Sequence, residues 1–210
     1  MTPLWADLAG IAAAALSTSS GVIQVGRLLR ARTALGIATG TWILTTMSTV
    51  TWFGYALSLH SPIQEFANGS WMFFVVVLTW MMLRARGTSM QTIGVVAVFA
   101  SLGLFTALGT ISTSIPGTCG IFASLFMSLP QIRYAIRHGR GPGVSVLGWA
   151  LGGLAASMWF VYGIGTQQIP VSVNTGIQTV LLVTVVIALL ANPTHSAADR
   201  HSEAADRPVP

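Results

Sequence analysis

Two tryptophans and two asparagines carry the chemistry of this chain: Trp52 and Asn68 in its first half, Trp159 and Asn174 in its second. Each Trp opens a nearly identical phrase, WFGY at 52–55 and WFVY at 159–162, at an offset of 107 residues. An indole face stacks on the C–H face of a sugar ring, and an Asn amide offers hydroxyls both a donor and an acceptor. Such a set suits a neutral, hydroxylated ligand. It does not suit covalent chemistry. The sequence has no nucleophile–base pair, metal cluster or phosphate-binding glycine loop, so neither an enzyme nor a cofactor is expected. His60, His138, His195 and His201 show no metal-ligand spacing, and the single Cys119 excludes disulfide and cysteine–metal frameworks. All ten cationic side chains are Arg, and without a lysine amine no retinal or pyridoxal Schiff base can form.

The elements that position these residues belong in a bilayer. Hydrophobic residues make up 53% of the chain, charged ones 7%, and the mean hydropathy is +0.72, whereas soluble domains carry about 25% charged residues. Seven apolar stretches, near 6–29, 36–59, 63–83, 90–112, 115–136, 144–165 and 168–191, each have the length of a membrane span. The N-terminus has no basic n-region or cleavage site, so the first span is expected to be retained. The polar, Pro-containing tail over 192–210 is expected to be a disordered cytoplasmic segment, and no function attaches to it. Arg27, Arg30 and Arg32 mark the first break, Arg84 and Arg86 the third, and Arg133, Arg137 and Arg140 the fifth. By the positive-inside rule these breaks face the cytoplasm, which places the N-terminus outside and the C-terminus inside. The excess of arginine is accounted for by membrane anchoring, and no nucleic-acid partner is expected.

Sliding residues 20–57 by 107 positions aligns two helix pairs without a gap. Identities fall at Gln24/Gln131, Arg30/Arg137, Gly36/Gly143, Trp42/Trp149, Leu44/Leu151, Trp52/Trp159, Phe53/Phe160 and Tyr55/Tyr162, and after a small gap Asn68 meets Asn174. The expected fold is therefore all-α: a three-helix unit over 6–83, a linker span over 90–112, and the same unit again over 115–191. The extra crossing restores the orientation of the second unit, so the two form a parallel repeat about an axis along the membrane normal. Parallel repeats with a substrate site between them are a known transporter plan.

Within that plan the four residues share a depth. Trp52 lies seven residues before the outer end of span two, and Asn68 about six after the start of span three; at 1.5 Å per residue both sit roughly 9–10 Å below the boundary. Trp159 and Asn174 reach the same depth, so two indoles and two amides can form one layer. Thr41, Thr45, Ser48, Trp52 and Tyr55 share one face of span two, and Gly148, Gly152, Ala155, Trp159 and Tyr162 the equivalent face of span six. Thr45, Ser48 and Gly152 are thus pore-lining candidates, although hydroxyls and small residues are also favoured at plain helix contacts. In span five Pro130 can kink the helix. Gln131 and its counterpart Gln24 could close the cytoplasmic end, with Pro130 as a hinge or a static kink. Glu65 lies within about a turn of the outer surface, where a proton-coupling role is less expected than an interfacial one.

The ordered set of these features resembles the SWEET and SemiSWEET sugar transporters of the PQ-loop superfamily: a three-one-three layout, Pro130–Gln131, and WFGY and WFVY each followed by an Asn. The resemblance spans residues 6–191. It implies facilitated, bidirectional movement of mono- or disaccharides by alternating access, with Trp52, Asn68, Trp159 and Asn174 as the substrate layer. The family typically carries prolines in the first two helices of each repeat. Spans one, two and six lack them, so bending here would draw on glycines such as Gly21, Gly40, Gly152 and Gly153. Two other functions stay open: a proton-coupled transporter of amino acids or another metabolite, which would draw on Glu65, and a seven-helix receptor or scaffold. The expected partners are a small sugar and the lipid of a cell membrane, and homo-oligomerisation is left open.

Overall fold

The computed structural model describes residues 2–32, 37–85, 101, 104–105 and 108–192. Its helices are α1 (Leu4–Ala31), α2 (Thr39–Leu59), α3 (Pro62–Ala85), α4 (Ser114–Leu125), α5 (Leu129–His138), α6 (Val146–Gly165) and α7 (Ile169–Ala191), with no strand among the described residues. The expected linker span at 90–112 lies mostly outside the described residues, as does the tail from residue 193; residues 108–111 are helical.

Local chemistry explains the boundaries. Pro62 opens α3 and Pro170 stands in the first turn of α7, where a fixed φ and a missing N–H cost nothing. Ser145 caps α6 by accepting from the Gly148 amide at 3.1 Å. The fifth expected span, 115–136, is two helices rather than one. The break at Phe126–Ser128 follows from Pro130, which has no N–H for the Phe126 carbonyl and whose ring crowds it. Leu129 N–H reaches that carbonyl instead, at 3.3 Å in a tighter turn, and the regular ladder resumes with Ile132 N–H to Ser128 O at 3.0 Å.

The molecule is a membrane protein turned inside out relative to a soluble one. Gln24, Gln64, Gln131 and Gln178 are buried, whereas Leu4, Phe66, Ile111 and Ile169 are each at least 70% exposed. Among the described residues, Leu4–Ala31, Ser114–His138, Val146–Gly165 and Ile169–Ala191 are long and apolar enough to cross a bilayer by length and composition. α2 is studded with hydroxyls. Thr45, Thr46, Thr49 and Thr51 each donate to the carbonyl four residues back, at 2.7, 2.8, 2.7 and 3.0 Å, so none leaves an orphan donor in an apolar setting.

The two halves pack alike. In the first, α3 lies between α1 and α2; in the second, α7 lies between α4–α5 and α6. Across the halves α1 meets α6, and α2 meets α4 and α5. The 107-residue offset is visible atom by atom. A Cβ on Gly10 would stand 2.7 Å from the Tyr162 ring, and one on Gly117 would stand 3.1 Å from the Tyr55 ring. Each half's tyrosine thus needs the other half's glycine. Trp42 and Trp149, also one offset apart, touch each other with ring centroids 6.5 Å apart. Equivalent residues that touch must lie beside the axis relating the halves.

Candidate functional site

A cavity of about 180 Å³ runs along that axis, against the roughly 10–15 Å³ that a single water needs. α1, α2, α3, α6 and α7 and the break between α4 and α5 all contribute to its wall. A smaller cavity of about 80 Å³ lies beyond it, towards the end of the bundle that carries His60 and Gln168. Trp52, Asn68, Trp159 and Asn174 border both cavities, so the structure brings these four together between the two chambers. Thr45, Ser48, Gly152 and Gln24 line the larger one, while Pro130 and Gln131 stand outside both. No side chain bordering either cavity is charged among the described residues. Glu65, in the first turn of α3, is half-buried and borders neither.

Each tryptophan of the layer is held edge-on by its own tyrosine. Trp52 and Tyr55 meet at 5.5 Å and 86°, Trp159 and Tyr162 at 5.2 Å and 88°. Trp52 is fixed further. Its Nε1–H donates to Ser124 Oγ at 3.0 Å, and Ser124 Oγ donates to the Gly120 carbonyl at 2.8 Å. With that proton placed, the 2.6 Å contact between Ser48 and Ser124 must run from the Ser48 hydroxyl. One side of the indole lies on Gly120, where a Cβ would stand 2.8 Å from Cε2, 3.0 Å from Cζ2 and 3.1 Å from Cδ2. Asn68 donates to the Gln64 carbonyl at 2.9 Å, which keeps its amide oxygen available.

Most hydroxyls of the wall direct their protons at backbone. Besides Thr45 and Thr49 of α2, Ser17 donates to Ala13 O at 2.8 Å and Thr175 to Val171 O at 2.7 Å. Their lone pairs remain, so these positions accept from a ligand rather than donate to it.

The bundle is crossed by hydrogen bonds on either side of the cavity. At the end carrying Arg27, Arg133 and Arg137, Gln24 Nε2 donates to Gly143 O at 2.9 Å and Gln24 Oε1 accepts from Ser145 N at 3.1 Å. One offset away, Gln131 Oε1 accepts from Ala38 N at 3.0 Å. Each glutamine therefore holds the start of the other half's second helix. At the opposite end Gln64 Nε2 donates to Gln168 Oε1 at 2.6 Å, and Ser61 Oγ lies 3.2 Å from Tyr162 Oη.

No family model and no curated protein matches the sequence. Among solved structures, the chain is similar to a eukaryotic SWEET transporter determined at 3.7 Å resolution, with a TM-score of 0.68 at 15% identity, covering 90% of this chain and 97% of that one. This is the SWEET fold.

Within this SWEET-like bundle, sequence reasoning missed Ser124, Gln178 and the Gln64–Gln168 contact. Gln178 Nε2 donates to the Ser124 carbonyl at 2.6 Å, which also accepts from Met127 N–H at 3.2 Å. A signal for both was present. Gly117, Gly120, Ser124 and Ser128 recur at helical spacing on one buried face, and Gln178 stands one turn after Asn174.

Proposed function

We propose that this chain is a membrane transporter that lets a neutral, polyhydroxylated solute, a sugar, equilibrate across the bilayer by alternating access. The observation that carries this reading is an axial cavity walled by indoles, amides and hydroxyls with no charged side chain among the described residues bordering it. Desolvated hydroxyls can be met by acceptors and amides there, whereas a charged solute would pay a desolvation cost with no counter-ion. The solved structure it resembles is that of a SWEET transporter, which supports the same reading.

In this scheme Trp52, Asn68, Trp159 and Asn174 form the substrate layer, with Thr45, Ser48 and Gly152 lining the path. Residues 6–83 and 115–191 act as two units that rock about the axis, with the α4–α5 break at Pro130 as the hinge. Gln24 and Gln131 latch the arginine end, which faces the cytoplasm. Each cross-bundle bond contributes about 1 kcal/mol net. The latch of Gln24 and Gln131 and the contacts at the other end therefore differ by amounts that thermal exchange can cross.

The test is sugar counterflow in liposomes with purified protein. Asn68→Ala and Asn174→Ala should each abolish exchange while the protein remains folded and inserted. Normal exchange by both variants removes the layer from the mechanism.

A further inference from the structure

Phe122, Phe126, Leu129, Arg133, Ile136 and Arg137 follow one another at helical spacing of three and four through the α4–α5 break. All six are exposed, the apolar ones at 63%, 57%, 43% and 60% in chain order. Ser124, Ser128, Gln131 and Ala135, which recur at the same spacing two positions on, are all buried. Phe126 and Ser128 keep right-handed helical backbone, so the outward and inward faces stay in phase across the break. The outward face points away from both cavities, into the apolar surroundings that the rest of the exposed surface requires.

Arg133 is the member of this stripe that needs a physical account. It stands one turn, about 6 Å, further into the bilayer than Arg137, in the stretch Ser114–His138 that is long and apolar enough to cross it. An ionised side chain on a lipid-facing surface is costly unless something meets its charge. No carboxylate among the described residues does so, because Asp7 and Glu65 stand in the first turns of α1 and α3, at the opposite end. Membrane anchoring does not call for it either. One offset away, the same stripe on α1 reads Ala15, Ser19, Val22, Gly26, Leu29 and Arg30. The anchoring arginine recurs there, but glycine stands in place of Arg133 and small residues in place of both phenylalanines.

Arg133 and Arg137 are neighbours on the helix surface, and two guanidinium forks one turn apart have the reach and the donors to clasp one phosphate. Their long side chains can extend to headgroup level while the stems stay on apolar surface. Deeper in the bilayer, Leu129, Phe126 and Phe122 form an apolar track beneath them. Gln131, on the reverse of the same helix, accepts from Ala38 N at 3.0 Å, so the seat is fixed before anything binds. We propose that this stripe is a site for an anionic phospholipid, its phosphate held between Arg133 and Arg137 and one acyl chain laid along Leu129, Phe126 and Phe122. The site belongs to the second half alone, and it stands whatever solute the axial cavity takes.

The test is native mass spectrometry of the purified full-length protein in detergent, titrated with dioleoylphosphatidylglycerol or dioleoylphosphatidylcholine. The wild type should retain one phosphatidylglycerol at least fivefold more tightly than phosphatidylcholine, since each arginine near the headgroups is worth about fivefold. Arg133→Ala should remove about fivefold of that preference, and Arg133→Lys, which keeps the charge, should recover most of it. Arg30→Ala, the equivalent of Arg137 in the half that lacks the pair, should leave retention unchanged. Equal retention of the two lipids by the wild type overturns the site. A loss in Arg30→Ala as large as in Arg133→Ala also overturns it, because diffuse surface charge then accounts for the binding. Inorganic phosphate in large excess should not displace the lipid; if it does, the pair is a plain anion site and the acyl track falls. A dimer that sheds lipid as it forms would give the face to a second copy of the chain instead.

Discussion

Gly120→Ala adds one methyl group, and its consequence can be worked out before it is made. The new carbon would stand 2.8, 3.0 and 3.1 Å from three atoms of the Trp52 indole. Carbon atoms rest comfortably at about 3.5–4.0 Å, so the ring must retreat by about 0.7 Å. It cannot do so freely, because Nε1 is tied to Ser124 at 3.0 Å and the ring edge meets Tyr55. Either the strain stays, at about 1–3 kcal/mol, or the indole moves into the cavity and loses a bond of about 1 kcal/mol. Either route costs the proposed layer about 1 kcal/mol or more, which is about fivefold or more in affinity. The assay is sugar binding by tryptophan emission together with counterflow, with Gly26→Ala as the control. A Cβ at Gly26 meets nothing within 4 Å, so this second change should leave exchange intact and stabilise α1 by up to about 1 kcal/mol. Wild-type affinity in Gly120→Ala would show that the position of Trp52 does not matter to the ligand.

Two further outcomes follow from the fold. Gln24→Leu and Gln131→Leu each strand backbone groups of the opposite half, at about 1–3 kcal/mol per orphaned group. Both should therefore raise the accessibility of cavity-facing cysteine probes from the arginine end, by similar factors because the two latches are equivalent; an effect of only one substitution would break the symmetry on which the latch rests. A His60→Cys variant in intact cells should react with a membrane-impermeant maleimide, whereas His138→Cys should not, and the reverse labelling would invert the proposed topology.

The layer was legible because Trp and Asn are rare enough in apolar helices that their recurrence at one offset stands out. The pairing of Gln24 with Gln131 was legible for the same reason, but their partners were not. Ser145 N and Ala38 N are backbone groups, and any residue type supplies one. Pro130 announced trouble in span five, and the structure turns that into a full break, beside which Gln178 donates to the Ser124 carbonyl. That contact joins residues 54 apart, and nothing local encodes it. Trp52 with Ser124 is 72 apart, and the sequence offers only a small residue on a buried face. The expected linker span at 90–112 drew on apolar length alone, and its place lies mostly outside the described residues.

Thr45 and Thr49, which line the cavity on α2, turn their protons onto their own helix, and on the proposed transporter reading this has a bearing on what the passage admits. At those two positions the lining solicits hydrogen from a visitor and offers none in return. A polyol, with a proton on every oxygen, answers on each contact. A ketone, an ether or a fully methylated sugar of the same girth arrives with only lone pairs, and lone pairs face lone pairs. Size alone would let such impostors through; the direction of a few hydroxyl bonds turns them away.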